Sequence, residues 1–281
     1  MIAINLSRCT HCNRCYLACP DGIIQRGPAL TAALALCVRC GACYAVCPEA
    51  AITVLGFEGV ATPEVSGSPP VNPDAMMTLL EERRSRRLYT GEPVSREHLQ
   101  GMIRAASLAP SSQNRRPVTA HVYQDSTAIS AIRESTLAYC RQLYTLARLP
   151  GFGLLWRLTG RPPDQLPLLL GNLEHVLAPD EEHDPLLHHA PTILAFTVPR
   201  GDAEAVGDAW IATQNAVVYA EALGVGTCYN GFVAAAAASR AVRQAMGLAK
   251  GERVVTVLTV GYPSMTYIRR APRKTMPTVW H

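Results

Sequence analysis

The chain has 281 residues, enough for one large domain or for a small one beside a medium one. Apolar residues make up 48% and charged residues 17%, so a sizeable core can be buried and a disordered chain is excluded. A net charge of +4 is too mild for a nucleic-acid binder, and the basic residues gather at 83–87 and 269–274, which points to a local anionic ligand.

At the start of the chain, Ile2, Ile4 and Leu6 are too few for the apolar stretch of a secretory signal. No apolar run reaches the roughly 18 residues of a membrane span. The expectation is a cytoplasmic setting with no membrane partner, where crowded cysteines hold metal rather than pair as disulfides. CTHCNRCYLACP (9–20) and CVRCGACYAVCP (37–48) supply such a crowd. Each block reads C-x2-C-x2-C-x3-C-P, the bacterial ferredoxin run, in which three thiolates wrap one cubane and the fourth reaches the other cluster. The expected ligand sets are Cys9, Cys12, Cys15 and Cys47 for cluster I, and Cys37, Cys40, Cys43 and Cys19 for cluster II. Pro20 and Pro48 end the short helices that carry the fourth ligands.

Zinc is the main competing reading. Structural zinc favours two C-x2–4-C pairs set apart by a spacer, whereas three cysteines crowd each loop here. A disulfide framework conflicts with a reducing compartment, and a motif that had lost its clusters would not keep every cysteine and both prolines. A module of about 60 residues has a meagre core, and metal ligation is a common remedy. INL (4–6) and AITVL (51–55) are expected to pair as short strands. The repeat resembles the two-cluster ferredoxin family over residues 1 to about 58, and a two-[4Fe–4S] domain is expected over 1–60.

ATPEVSGSPPVNP (61–73) is rich in Pro, Ser and Gly, lacks an apolar period and reads as a linker. A second domain is expected over 74–281. Asn72-Pro73-Asp74 opens a helix through MMTLLEERRS, and REHLQGMIRAASLA (96–109) is an amphipathic helix. TAHVYQ (119–124) is a short strand, and PTILAFTV (191–198) and RVVTVLTVGYP (253–263) are apolar runs fit for buried strands. EAVGDAWIATQNAVVYAEALG (204–224) is a long helix, apolar nearly all round, that needs covering by a dimer partner or by the core of its own subunit. AAAAASRAVRQAMG (234–247) reads as one further helix. No G-x-G-x-x-G follows a strand and no G-x4-G-K-[ST] occurs, so neither a Rossmann nor a P-loop site is expected.

ERRSRRLYTGEPV (82–94) sets four arginines and a serine at a helix end, a donor set suited to phosphate. LAPSSQNRRP (108–117) can meet the polar edge of a planar ligand, and RRAPRKTMP (269–277) brings a second basic cluster. RRSRRLY…PV, APSSQN, LGVGTCYNG and GYP…PRK occur in that order, and together resemble the nitroreductase family of FMN flavoenzymes over about 74–281.

That resemblance implies an α+β fold: a small ferredoxin-like module followed by an FMN domain with a mostly antiparallel sheet flanked by helices. It implies that Arg83, Arg84, Ser85 and Arg87 hold the FMN phosphate and ribityl chain, with Arg273 and Lys274 closing on the phosphate. Pro110, Ser111, Ser112 and Asn114 would line the isoalloxazine edge, and Tyr229, Asn230 and Gly231 would run past the ring with backbone N–H groups near its N5. Arg116-Pro117-Val118 stands where many members carry Gln-Pro-Trp. A homodimer is implied, with each flavin at the subunit interface.

Residues 141–190 are apolar enough to form a lid or rim over the flavin, or a helical pair on the outer core. His183, His188 and His189 lie beside this segment, and Cys140 and Cys228 read as packing residues. The implied activity is that of an FMN-dependent oxidoreductase with two [4Fe–4S] clusters and FMN. Electrons from a low-potential donor, an external ferredoxin for example, would pass through the clusters to FMN and then to a small acceptor such as a nitro compound or quinone. The alternatives are NAD(P)H as the donor with export through the clusters, and a redox sensor or electron-carrier subunit.

Overall fold

The computed structural model describes residues 2–27, 36–56, 65, 71–158, 160, 162–178 and 184–281. Most of the expected linker 61–73 lies outside the described residues, as does His183. The chain divides into two units, Met1–Pro70 with Ser111–Arg116, and Val71–Pro110 with Pro117–His281.

In the first unit, β1 (Ile2–Ile4) pairs antiparallel with β2 (Ile52–Val54), Ile2 opposite Val54 and Ile4 opposite Ile52. The first strand thus ends on Ile4, where the expected 4–6 begins. Asn5 turns its side chain to the N–H and hydroxyl of Ser7 and breaks the extended run. Short helices α1 (Arg14–Ala18) and α2 (Ala42–Ala45) carry one cysteine each, Cys15 and Cys43. The core is small: Ile2, Ile24, Cys43, Ile52 and Val54 are buried, with Cys15, Cys19, Cys37 and Cys47 packed against them.

The second unit is built on a four-stranded antiparallel sheet in the order β3-β4-β6-β5, from β3 (Thr119–Tyr123), β4 (Thr192–Pro199), β5 (Gly226–Tyr229) and β6 (Glu252–Gly261). The two apolar runs are the central strands, and seven consecutive residues of β4 are buried, so both faces of that strand are covered. α3 (Pro73–Glu82) starts at Asn72, whose side chain accepts from Asp74 N–H. α4 (Arg96–Ser107), capped by Ser95, packs on α8 (Glu204–Ala222). On the other side of the sheet, α5 (Ser126–Ala147), α7 (Gln165–Leu177), α9 (Gly231–Ala236) and α10 (Arg240–Ala245) enclose the cluster around Ile132, Leu173 and Ile193. α6 (Phe152–Leu158) lies against α5.

One expectation needs correcting, and one element was not foreseen. The alanine-rich stretch 234–247 is not one helix, because Ser239 accepts from Val242 N–H and opens α10 afresh while α9 has already closed. GTCY at 226–229 is a strand, unmarked in the sequence because it is short and begins on glycine. α8 answers the question its composition raised in part: Ala205, Ala209, Ala212, Ala216 and Ala220 are buried, while Trp210, Ile211 and Tyr219 stay exposed. Among the described residues no helix is long and apolar enough to cross a membrane.

Candidate functional site

The two cysteine blocks fold as near copies. His11 and Arg39, each just before the second cysteine of its block, take left-handed φ values of 57° and 53°. Asn13 and Gly41, each just after it, do the same at 60° and 79°. Such turns curl a loop so that successive side chains and N–H groups face one concavity. Cys9, Cys12, Cys15 and Cys47 line one cavity, and Cys19, Cys37, Cys40 and Cys43 line another. Backbone N–H groups approach the fourth sulfurs in equivalent ways: Ile23 N–H donates to Cys19 Sγ at 3.3 Å and Ala51 N–H to Cys47 Sγ at 3.2 Å.

Burial, together with Cys40, Cys19 and Cys37, pushes the Cys43 thiol up to about 11. Burial also raises Cys15, with Cys12 and Cys47 adding to it. Four thiolates gathered this closely need cationic partners. Among the described residues no three His, Cys, Asp or Glu side chains converge on one metal ion, and all ten cysteines are free thiols. A cubane asks for a different arrangement, since each thiolate takes its own iron and the four sulfurs surround a larger body. The donor sets fit that group.

In the second unit, Arg83 caps the C-terminal end of α3, and its carbonyl accepts from Arg273 Nη2 at 2.9 Å. The chain from Ser85 onward is stitched to the sheet. Ser85 bridges Thr227, Arg86 N–H donates to Thr227 O at 2.9 Å, and the Tyr89 hydroxyl donates to Arg86 O at 2.6 Å and meets Thr259. Gly226 makes this approach possible, because a Cβ there would stand 2.8 Å from Arg86 Cβ. Gly261 does the same beneath Tyr89, whose ring would lie 2.7 Å from an added Cβ. Tyr267 stacks under the Arg86 guanidinium at 4.1 Å, and Arg270 pairs with Glu81 and Glu82. The basic clusters at 83–87 and 269–274 are thus brought together, with Arg83, Arg84 and Ser85 half-buried and Arg87, Arg273 and Lys274 exposed.

Arg86 is the exception in this donor set. Its guanidinium pairs with Glu221 at 3.2 Å, both side chains being about 85% covered, so it anchors the segment instead of facing a ligand. The sequence marked it only as one arginine among four.

A cavity of about 1250 Å³ opens beside this segment, ample for a cofactor-sized ligand. Arg87, Tyr229, Asn230 and Gly231 line it, as do Trp156 and His175 from α6 and α7, and His188 and His189. Segment 141–190 is therefore both a helical layer against α5 and a wall of the cavity. Burial pushes Tyr229 up to about 12 against the pull of Arg83. Burial and Arg87 hold His188 below the ordinary histidine value.

Asn230 is placed differently from the expectation of a free N–H beside the ring. Its N–H donates to Val257 O at 2.7 Å, its Nδ2 to Leu186 O at 2.6 Å, and its Oδ1 caps α9 at Val233 N–H. Asn230 holds the 184–189 loop and leaves Gly231 N–H as the neighbouring backbone donor. Asp184, nearly buried, accepts from Leu186, Leu187 and His189 N–H in the same loop. Cys140 and Cys228 are buried in the cavity wall. Pro110 is exposed at the end of α4, and Ser111, Ser112 and Asn114 belong to the first unit. There Asn114 Nδ2 donates to Arg39 O at 2.8 Å and to Val38 O at 3.2 Å.

Residues 1–48 match the model of the 4Fe-4S dicluster domain, and residues 80–262 match that of the nitroreductase family. No curated protein matches the chain. Among solved structures it is similar to a nitroreductase with bound FMN from Bacteroides fragilis NCTC 9343, at 16% identity over 75% of this chain and 100% of that one, with a TM-score of 0.56. A nitroreductase with bound FMN from Desulfitobacterium hafniense DCB-2 follows at 20% identity, 73% and 98% coverage and a TM-score of 0.56. Oxidised iodotyrosine deiodinase bound to FMN and 3-iodo-L-tyrosine gives 19%, 73%, 98% and 0.54. These likenesses show a shared α+β fold with an antiparallel sheet and flanking helices. The family match spans well over half the chain, which belongs to the nitroreductase family.

Proposed function

We propose that this chain is an FMN-dependent oxidoreductase that takes electrons from a low-potential donor through two [4Fe–4S] clusters and delivers them by way of FMN to a small acceptor such as a nitro compound or quinone. The observation that carries this reading is the sorting of the cysteines into two separate cavities of four, in a chain of the nitroreductase family. When bound, the clusters supply single-electron transfer and FMN joins single-electron to hydride chemistry.

The chain's own residues do the positioning. Cys9, Cys12, Cys15 and Cys47 hold one cluster and Cys19, Cys37, Cys40 and Cys43 the other. Arg83, Arg84, Ser85 and Arg87, with Arg273 and Lys274, gather the donors a phosphate requires. Tyr229 and Gly231 lie along the cavity, with Asn230 bracing the loop behind them. Trp156 and the α7 face exclude water from the acceptor side. The His188 imidazole, held below its ordinary value by burial and Arg87, borders the same space and can hydrogen-bond a ligand there.

Two copies are proposed to associate through the exposed side of α8. Trp210 is 50% exposed and packs its ring 5.5 Å from that of Tyr229, so a partner covering Trp210 would also shield the Tyr229 edge of the cavity. The thiol-rich module supports a reducing, cytoplasmic setting as part of this reading.

Anaerobic purification should return about eight irons and one FMN per chain. A low-potential donor should then reduce the flavin, and Cys-to-Ala changes in either block should stop it. Normal turnover of those variants with NADPH would remove the clusters from the entry route.

A further inference from the structure

Asn114 falls in the stretch that resemblance assigns to the flavin edge, yet its side chain is committed elsewhere. Both Nδ2 hydrogens have acceptors on the second cysteine loop, Val38 O and Arg39 O, and its Oδ1 accepts from Arg116 Nε at 3.3 Å. The two carbonyls lie between the cysteines of Cys37-Val38-Arg39-Cys40. In a trans peptide the C=O and the following N–H point in opposite directions, and no cis peptide occurs among the described residues. Holding Val38 O and Arg39 O therefore turns the N–H groups of Arg39 and Cys40 to the side away from Asn114. Among the described residues neither N–H has a protein acceptor. The first block shows where such a group goes, because the N–H of His11, the counterpart of Arg39, donates to Cys9 Sγ at 3.4 Å. No side chain among the described residues donates to the counterpart carbonyls of Thr10 and His11.

We infer that Asn114 is a positioning residue for cluster II: by clamping Val38 O and Arg39 O it aims the Arg39 and Cys40 N–H groups at the sulfurs of the group held by Cys19, Cys37, Cys40 and Cys43. This rests on the proposed cluster reading. N–H donors to cluster sulfur stabilise the reduced, more negative state and raise its potential. Asn114 thus makes the two near-identical blocks electronically unequal.

The test uses the full chain, loaded anaerobically, with Asn114→Gly and Asn114→Asp. Glycine accepts the φ of 55° without strain, and aspartate keeps the shape but cannot donate. Potentials are read by redox titration followed by electron paramagnetic resonance, with Cys37→Ala identifying the cluster II signal. Both variants should make cluster II about tenfold harder to reduce, ~59 mV for one electron, and leave cluster I where it was. Selective loss of the cluster II signal would also support the inference. Unchanged potentials, equal loss of both signals, or a change confined to flavin content and flavin spectrum would overturn it. A wild-type chain that retains no iron would instead overturn the cluster reading itself.

Discussion

The two units of this protein are stabilised by different means. The sheet unit buries β4 on both faces and surrounds Phe196, Leu194 and Leu258 with apolar side chains. Among the described residues the cysteine unit has two three-residue strands, two helices of about one turn and a main buried cluster of five residues. Apolar burial at roughly 25 cal/mol per Å² can hold the first against chain entropy, but a core of the second size needs cross-links. The difference teaches that, in the proposed reading, the cysteine loops serve as scaffold as well as cluster ligands. Loss of metal should undo one unit and spare the other.

The largest effect should come from that contrast. Cys47→Ala removes a ligand that also packs on the small core, and hydrogen exchange should show loss of protection throughout β1 and β2, with β4 and β6 unchanged. Equal loss in both units would break the comparison. The reverse experiment is Phe196→Ala, which should cost the sheet unit ~3–5 kcal/mol in denaturant titration and leave iron content alone.

A smaller effect is expected at the anchor of the proposed phosphate-binding segment. Glu221→Gln leaves the covered Arg86 guanidinium without its counter-ion, which should cost ~1–3 kcal/mol and weaken FMN retention, measured by thermal unfolding and by dialysis. The smallest concerns acid. Burial alone would raise Glu252, but Ala249 N–H, His121 and Thr197 outweigh it and hold the carboxyl below its ordinary 4.5. A depressed folded value means that this contribution is complete above 4.5 and is lost as pH falls through the lower folded value. Glu252→Gln should flatten that acid limb in urea titrations by under ~1 kcal/mol.

Much of this architecture was legible in the residues, and the exceptions have physical causes. The cysteine blocks can be read because ligand spacing is local and strict. β4 and β6 can be read because a strand buried on both faces has to be apolar throughout. β5 was invisible, since four residues beginning on glycine carry no period, and α9 and α10 were merged because alanine favours helix wherever it falls. The resemblance left Arg86 out of the phosphate set, but its role as an anchor was not legible, because only the approach of Glu221, 135 positions away, creates it. Asn230, expected at the flavin, lines the cavity and also braces the loop containing Leu186.

By itself the sequence determined two metal-binding blocks, a donor-rich segment suited to phosphate and the apolar strands of an antiparallel core. Those properties follow from residue type at short range. Tertiary structure alone decided that Glu221 turns Arg86 inward, how residues of the 141–190 stretch wall the cavity, and that Asn114 grips the second cysteine loop. Each of these depends on carbonyls, carboxylates and backbone from distant parts of the chain meeting within a few ångströms, a proximity that local spacing does not encode.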